Sequence, residues 1–227
     1  TDGGGALHLI NSQAKLKNLI INGNNKQGSS NGGAAMFIDS SIIFFSNSLV
    51  YNNSAIDLHH GVTMYTYTGG IVAMNNSILN LNNISFHGNS GTDAVYYEGD
   101  DEPFGYGSAL HLYDSSNATL INSIIWNEGD LITGEPEQVV GTVDISFSNI
   151  LGGWEGSGNI DNDPLFCNPD SNDFTLAENS PCVGSGEDGI NMGALGIGCE
   201  AILSIDKDVI PLSFRLHQNY PNPFNPI

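Results

Sequence analysis

Glu98, Asp100, Asp101 and Glu102 crowd four carboxylates into one short stretch. Hard oxygen donors at this spacing suit Ca2+, and their mutual repulsion favours taking up a cation. A second acidic group, Asp161, Asp163, Asp170 and Asp173, offers the same donors further along. Neither run follows an established calcium-loop pattern. Between and before them stand rings and imidazoles: Asp57, His59, His60, Tyr65, Tyr67, Tyr96, Tyr97, Phe104 and Tyr106. Aromatic faces flanked by carboxylates suit stacking against neutral sugars, and they suit packing of loops onto a wall equally well. Both readings stay open.

Catalytic chemistry is harder to assemble. Proton abstraction beside a carboxyl group needs a base and a cation to neutralise the carboxylate. Lys15 and Lys17 alternate outward with no acidic cluster beside them, and His8 and His111 share the phrase Ala-Leu-His-Leu. Both histidines are expected to face outward as surface residues, about 14 Å apart if three strand spacings separate them. Glycoside hydrolysis needs two carboxylates about 5–9 Å apart. Asp39 and Asp114 fall at comparable corners, but Asn75 and Asn76 stand at the one between. No catalytic residue is assigned.

The elements that must position these groups come from an internal repeat. A serine followed six residues later by an asparagine recurs as Ser12/Asn18, Ser41/Asn47, Ser77/Asn83 and Ser116/Asn122, while successive copies lie 29 to 39 residues apart. A constant phrase with variable spacers is the mark of stacked units that carry loops of different length. Within each copy apolar residues alternate: Leu7 and Leu9, Met36 and Ile38, Val72 and Met74, Leu110 and Leu112, each pair followed by another beyond the serine. Period-two patterning in three short strands per copy predicts a parallel β-helix (solenoid), all-β, of about five coils. The corner asparagines Asn18, Asn47, Asn83 and Asn122 should tolerate left-handed backbone and stack amide on amide, about 4.8 Å apart. A second column, Asn24, Asn53 and Asn89, continues as Asn127 or Glu128. In a fifth, degenerate coil Val143, Ile145 and Phe147 are expected to point inward, with Asn149 closing the column. The long spacers at 54–69, 90–106 and 129–140 leave from one corner and gather on one side, where solenoids carry their binding surfaces.

Charge excludes some partners. Residues 1–92 are balanced, and the whole net charge of −20 lies in residues 93–227, where 22 acids face only Lys207 and Arg215. With no basic stripe, nucleic acid is not an expected partner. An acidic surface repels anionic glycans unless a divalent cation bridges them. No apolar run is long enough for a transmembrane segment. The start, Thr1-Asp2-Gly3-Gly4-Gly5, runs straight into a repeat, so the sequence reads as a mature or trimmed piece of a longer precursor.

Two stretches resemble known families. Asn162-Asp163-Pro164-Leu165-Phe166-Cys167, Asn172-Asp173-Phe174-Thr175-Leu176, Ser180-Pro181-Cys182 and Asn191-Met192-Gly193-Ala194 resemble, in order, the terminal segment of secreted bacterial right-handed parallel β-helix proteins. Leu216-His217-Gln218-Asn219-Tyr220-Pro221-Asn222-Pro223-Phe224-Asn225-Pro226 looks like the opening of the C-terminal sorting domain of type IX secretion substrates. The resemblances imply coils over 1–158, a cap over 159–200, and a linker with the truncated start of a sorting domain over 201–227. They imply a bacterial protein at the outer cell surface or outside the cell, with the type IX machinery as a partner. Export admits a disulfide. Of Cys167, Cys182 and Cys199, the pairing Cys182–Cys199 is expected ahead of those with Cys167, because it ties the final loop of the cap. The resulting expectation is a non-catalytic structural or adhesive module that holds a glycan or a surface protein through its loops. A polysaccharide lyase or hydrolase and a self-associating filament subunit are the alternatives, the last because the first coil leaves an unpaired edge.

Overall fold

The computed structural model describes residues 5–28, 32–57, 67–93, 109–112, 114–127, 132–133 and 143–203. Among these the chain is all-β, apart from two short 3-10 turns at Pro169–Ser171 and Glu187–Gly189. Its strands run through stacked parallel sheets, an arrangement compatible with a β-solenoid.

One sheet stacks Leu7–Ile10, Met36–Asp39, Ile71–Met74, Leu110–Leu112 and Ile132–Thr133 in chain order, all parallel. The second holds Gln13–Lys17 and Ile20–Asn22 from the first repeat, then Ile42–Tyr51 and Ile78–His87. Asn117–Ile121 with Ile124–Trp126, and Val143–Ser146 with Asn149–Ile150, complete it. A third contains Asn25–Gly28, Ser54–Asp57 and Ser90–Asp93. Equivalent positions of the repeat phrase are in register: Leu7 meets Met36, Met36 meets Ile71, and Ile71 meets Leu110.

Alternation sorts the side chains. Met36, Ile38, Ile43, Phe45, Leu79, Leu81, Phe86 and Leu120 join one continuous apolar core, while Ile42, Phe44 and Ile78 face out from the same strands. Full burial of each large side chain is worth about 1.5–3 kcal/mol, so the core carries most of the fold. In the first repeat Leu7, Leu9, Ala14, Leu16 and Leu19 are only partly buried, since among the described residues strands cover them on one side alone. Gly70, which opens the third repeat, lies so close to its neighbour that a Cβ there would run into the Ala109 carbonyl.

The corners rest on side-chain ladders. Asn18, Asn47, Asn83 and Asn122 all take left-handed backbone, with φ of 57°, 48°, 52° and 53°. This conformation bends the second sheet at little steric cost for asparagine. The amide-on-amide stacking expected of this column is not what the described residues do with it. Asn83 Nδ2 donates to the Asn191 and Gly193 carbonyls at 2.9 and 3.0 Å, and Asn122 Oδ1 accepts from the Glu187 N–H at 2.7 Å. These side chains point outward and hold the C-terminal segment instead. The ladder is in the second column, whose fourth member is Asn127: Asn24 Nδ2 donates to Asn53 Oδ1 (2.8 Å), Asn53 Nδ2 to Asn89 Oδ1 (2.9 Å), and Asn89 Nδ2 to Asn127 Oδ1 (3.2 Å). Serines do the same at another corner, the N–H of Ser12, Ser41 and Ser77 each donating to the hydroxyl of Ser41, Ser77 and Ser116.

Four local expectations need correction. In the third repeat Ile71 and Ala73, not Val72 and Met74, point into the core, in register with Met36 and Ile38. Phe147 does not point into the core; it takes the left-handed corner (φ 48°), one place past Ser146, which pairs with Ile121. Asn149 therefore sits beside Ile124 rather than in the Asn122 column. The outward row containing His8, Phe37, Val72 and His111 is not a plain surface, since Phe37, Val72 and His111 are all buried.

The segment over 159–200 does more than close the last repeat. Phe166–Asn168 pairs antiparallel with Asp173–Ala177, which pairs in parallel with Ile197–Cys199. Phe166, Phe174, Leu176, Cys182 and Met192 pack onto Leu49, Tyr51 and Ile124, on the outer face of the second sheet. The segment thus folds back along the stack, and Asn172 Oδ1 accepts from Asn52 Nδ2 at 3.2 Å.

Candidate functional site

Most of the loop residues singled out above lie outside the described residues: His59, His60, Tyr65, Tyr96, Tyr97 and Tyr106, and the acidic Glu98, Asp100, Asp101 and Glu102. Two candidates have a described backbone. Asp57 ends the strand Ser54–Asp57, in register with Gly28 and Asp93, and Tyr67 pairs with Gly32. The strands Ser54–Asp57 and Ser90–Asp93 follow directly on Asn53 and Asn89, so the ladder fixes the corner from which both long spacers depart.

The second acidic group is spread over separate turns. Asp161 Oδ1 accepts from the Gly152 N–H, Asp163 Oδ1 from Leu165, and Asp173 Oδ1 from Thr175. Asp163 and Asp173 each close their own turn, and Asp161 reaches back to the one at Gly152. Among the described residues no group of three or more His, Cys, Asp or Glu side chains gathers around a common point.

The expected Cys182–Cys199 bridge is not formed. Cys167 and Cys199 are joined, their Cα atoms 5.9 Å apart, and Cys182 is a buried free cysteine. Cys167 and Cys199 lie on the two strands flanking Asp173–Ala177, whereas Cys182 turns down among the apolar groups beneath them. Its Sγ accepts a hydrogen bond from Asn149 Nδ2 at 3.1 Å, and burial pushes its pKa up to about 11. A thiol held protonated in this way is a packing group rather than a nucleophile.

His111 is likewise a buried group, and loss of hydration lowers its pKa from 6.5 to about 4. The unfolded chain binds this proton near pH 6.5 and the folded chain only near pH 4, so stability falls as pH drops through that window. At about 1.4 kcal/mol per unit, the group removes about 3 kcal/mol by pH 4. His111→Leu is expected to flatten that part of the profile, read as the urea midpoint at pH 7 and pH 4.5. An unchanged difference between the two midpoints would assign the acid sensitivity to other groups.

Sequence reasoning passed over a row of outward side chains in the second sheet: Asn22, Tyr51, His87 and Trp126, in register across four repeats. Asn22 Nδ2 donates to Tyr51 Oη at 2.6 Å. Tyr51 meets the Phe174 ring at 4.8 Å, and His87 meets Phe174 at 5.0 Å and Phe166 at 5.8 Å. The signal was present in the sequence, since each of these residues closely precedes an asparagine of the ladder. At the C-terminal end of the row, His87, Gly88, Asn89, Ser90, Trp126, Asn127 and Leu151 line a groove of about 390 Å3. Gly88 takes a left-handed corner there (φ +60°), where a Cβ would crowd the end of the Asn52 side chain.

Comparison with protein-family models, with curated proteins and with solved structures finds no match. No helix among the described residues is long and apolar enough to cross a membrane.

Proposed function

We propose that this chain is a right-handed parallel β-helix of about five coils that works outside the cell, or on its outer surface, as a non-catalytic structural or adhesive module. The observation that carries this reading is the ladder from Asn24 to Asn127 beside the serine column from Ser12 to Ser116. The polar side chains at these corners are spent on joining one repeat to the next, which stiffens the stack and leaves recognition to the loops over 54–69 and 90–106. Those loops carry the rings for a glycan or a surface protein. The run Glu98, Asp100, Asp101 and Glu102 supplies oxygen donors for Ca2+. Export is read from Gln218-Asn219-Tyr220-Pro221-Asn222-Pro223-Phe224, the part of the chain that resembles a type IX signal.

One set of assays tests the reading. The purified chain is mixed with neutral and uronic-acid polysaccharides, with and without Ca2+, and scored for retention and for new chain ends. Retention without new ends is expected. New reducing or unsaturated ends would replace this proposal with a polysaccharide hydrolase or lyase. In a host with type IX machinery, alanine at Tyr220, Pro221, Asn222, Pro223 and Phe224 is expected to hold the protein inside the outer membrane; unchanged export would remove that part of the reading. Self-assembly into filaments is favoured by one observation. Leu7–Ile10 and Gln13–Lys17 are paired on one side only among the described residues, beside partly buried leucines. Growth of particle size with concentration in sedimentation would favour it.

A further inference from the structure

The groove beside Trp126 has a feature that neither its packing nor the ladder accounts for. In the first three repeats a left-handed residue separates the outward row from the ladder asparagine: Gly23, Asn52 and Gly88, with φ of 64°, 52° and 60°. In the fourth repeat that residue is missing, and Trp126 runs directly into Asn127. The shorter corner changes what the amide can reach. Asn53 Nδ2 donates to the Ile21 carbonyl at 3.0 Å, and Asn89 Nδ2 to the Val50 carbonyl at 2.7 Å, as well as each to the next asparagine. Asn127 is 1% exposed and lines the groove, and its Oδ1 accepts from Asn89 N and Nδ2, but its Nδ2 has no hydrogen-bond partner among the described residues. A buried amide donor left unmade costs about 1–3 kcal/mol. With Oδ1 tied back to Asn89, the nitrogen is the end of the amide left without a partner, and it lies buried at the wall of the groove.

The other walls narrow what would satisfy it. Trp126 is half-buried and contributes its indole to the lining, Leu151 adds an apolar surface, and the His87 ring is held in place by Phe166 and Phe174. No carboxylate, lysine or arginine is among the described lining residues, and the chain as a whole carries −20. An anion is therefore disfavoured, and a neutral ring with one strong acceptor is favoured. At about 390 Å3 the space is near the lower end of the ~300–1,000 Å3 typical of small-molecule sites. We propose that this groove binds a neutral acetamido sugar, its ring against Trp126, its acetamido carbonyl accepting from Asn127 Nδ2 and its methyl group against Leu151. The site touches the loop over 90–106 only at Ser90, and none of the loop aromatics or carboxylates assigned recognition above is among its described lining residues.

The probe is N,N′-diacetylchitobiose, titrated into the 15N-labelled full chain with digalacturonic acid as the anionic control. The expected result is saturable movement of the Trp126 indole and Asn127 side-chain amide signals with the neutral disaccharide alone. Trp126→Ala is expected to weaken binding by about tenfold or more, as for a central aromatic anchor, with Trp126→Phe in between. Trp154 lies elsewhere and serves as the internal reference. Because the titration of the unaltered chain is decisive by itself, a variant that folds poorly does not blunt the test. Signals that stay fixed up to solubility-limited sugar, equal binding of digalacturonate, or full binding by folded Trp126→Ala would each overturn the proposal.

Discussion

Asn89→Ala is expected to destabilise the fold by about 3 kcal/mol, read as a shift in the urea midpoint at unchanged m-value. Asn89 is 2% exposed, and four hydrogen bonds converge on its amide. Its Oδ1 accepts from Asn53 N and Nδ2 at 3.2 and 2.9 Å, while its Nδ2 donates to the Val50 carbonyl and to Asn127 Oδ1. Alanine removes all four and strands the Asn53 N–H, a buried backbone donor whose desolvation alone costs about 1–3 kcal/mol. The void left by the amide adds to this. Asn24, at the partly exposed end of the same ladder, gives the control. Its Nδ2 only donates, to Asn53 Oδ1 and the Asn22 carbonyl, so Asn24→Ala is expected to cost under about 1 kcal/mol. Equal losses at the two positions would show that the ladder does not hold the repeats together.

The second large effect lies in the C-terminal segment. Cys167→Ser should lose about 3–4 kcal/mol, because the bridge to Cys199 closes a loop with a sequence separation of 32 residues. Cys199→Ser should match it, and a reductant should bring the unaltered protein to the same midpoint. Cys182→Ala, by contrast, exchanges one small buried group for another and loses one weak bond from Asn149, so its cost should stay near 1 kcal/mol and its sensitivity to reductant should remain intact. Peptide mapping under non-reducing conditions decides between the pairings directly. A fragment linking Cys182 to either partner would contradict the arrangement of the strands described here.

The alternation and the two asparagine columns could be read from the chain because their cause is local. A strand alternates faces residue by residue, and a left-handed corner favours asparagine or glycine. The same local reasoning misplaced Phe147, since the fifth repeat is shorter and the count from its apolar residues slips by one corner. It made His111 a surface residue because alternation tells in from out, but says nothing of whether the outside is covered. It chose Cys182 over Cys167 on closeness along the chain, whereas the pairing is set by which strands flank Asp173–Ala177. The row Tyr51, His87 and Trp126 went unnoticed for a related reason. Its members are unlike in type, and only register makes them neighbours.

The ladders also have a direction. The N–H groups of Ser12, Ser41 and Ser77 donate to the serine of the following repeat, and those of Asn24, Asn53 and Asn89 to the following asparagine. Leu19, Ile84 and Ser123 do the same toward Ser48, Ser123 and Ser148. These donors of each repeat are therefore completed by its successor, while the N–H groups of Ile42, Ile78 and Asn117 run the other way, to the serine carbonyl of the preceding repeat. Growth of the stack from its N-terminal end is a succession of provisional states, each made good only when the next stretch of chain arrives. Removal is unequal in the same sense: trimming the front leaves these donors of the remaining repeats satisfied, while trimming the back orphans them in the repeat that becomes last.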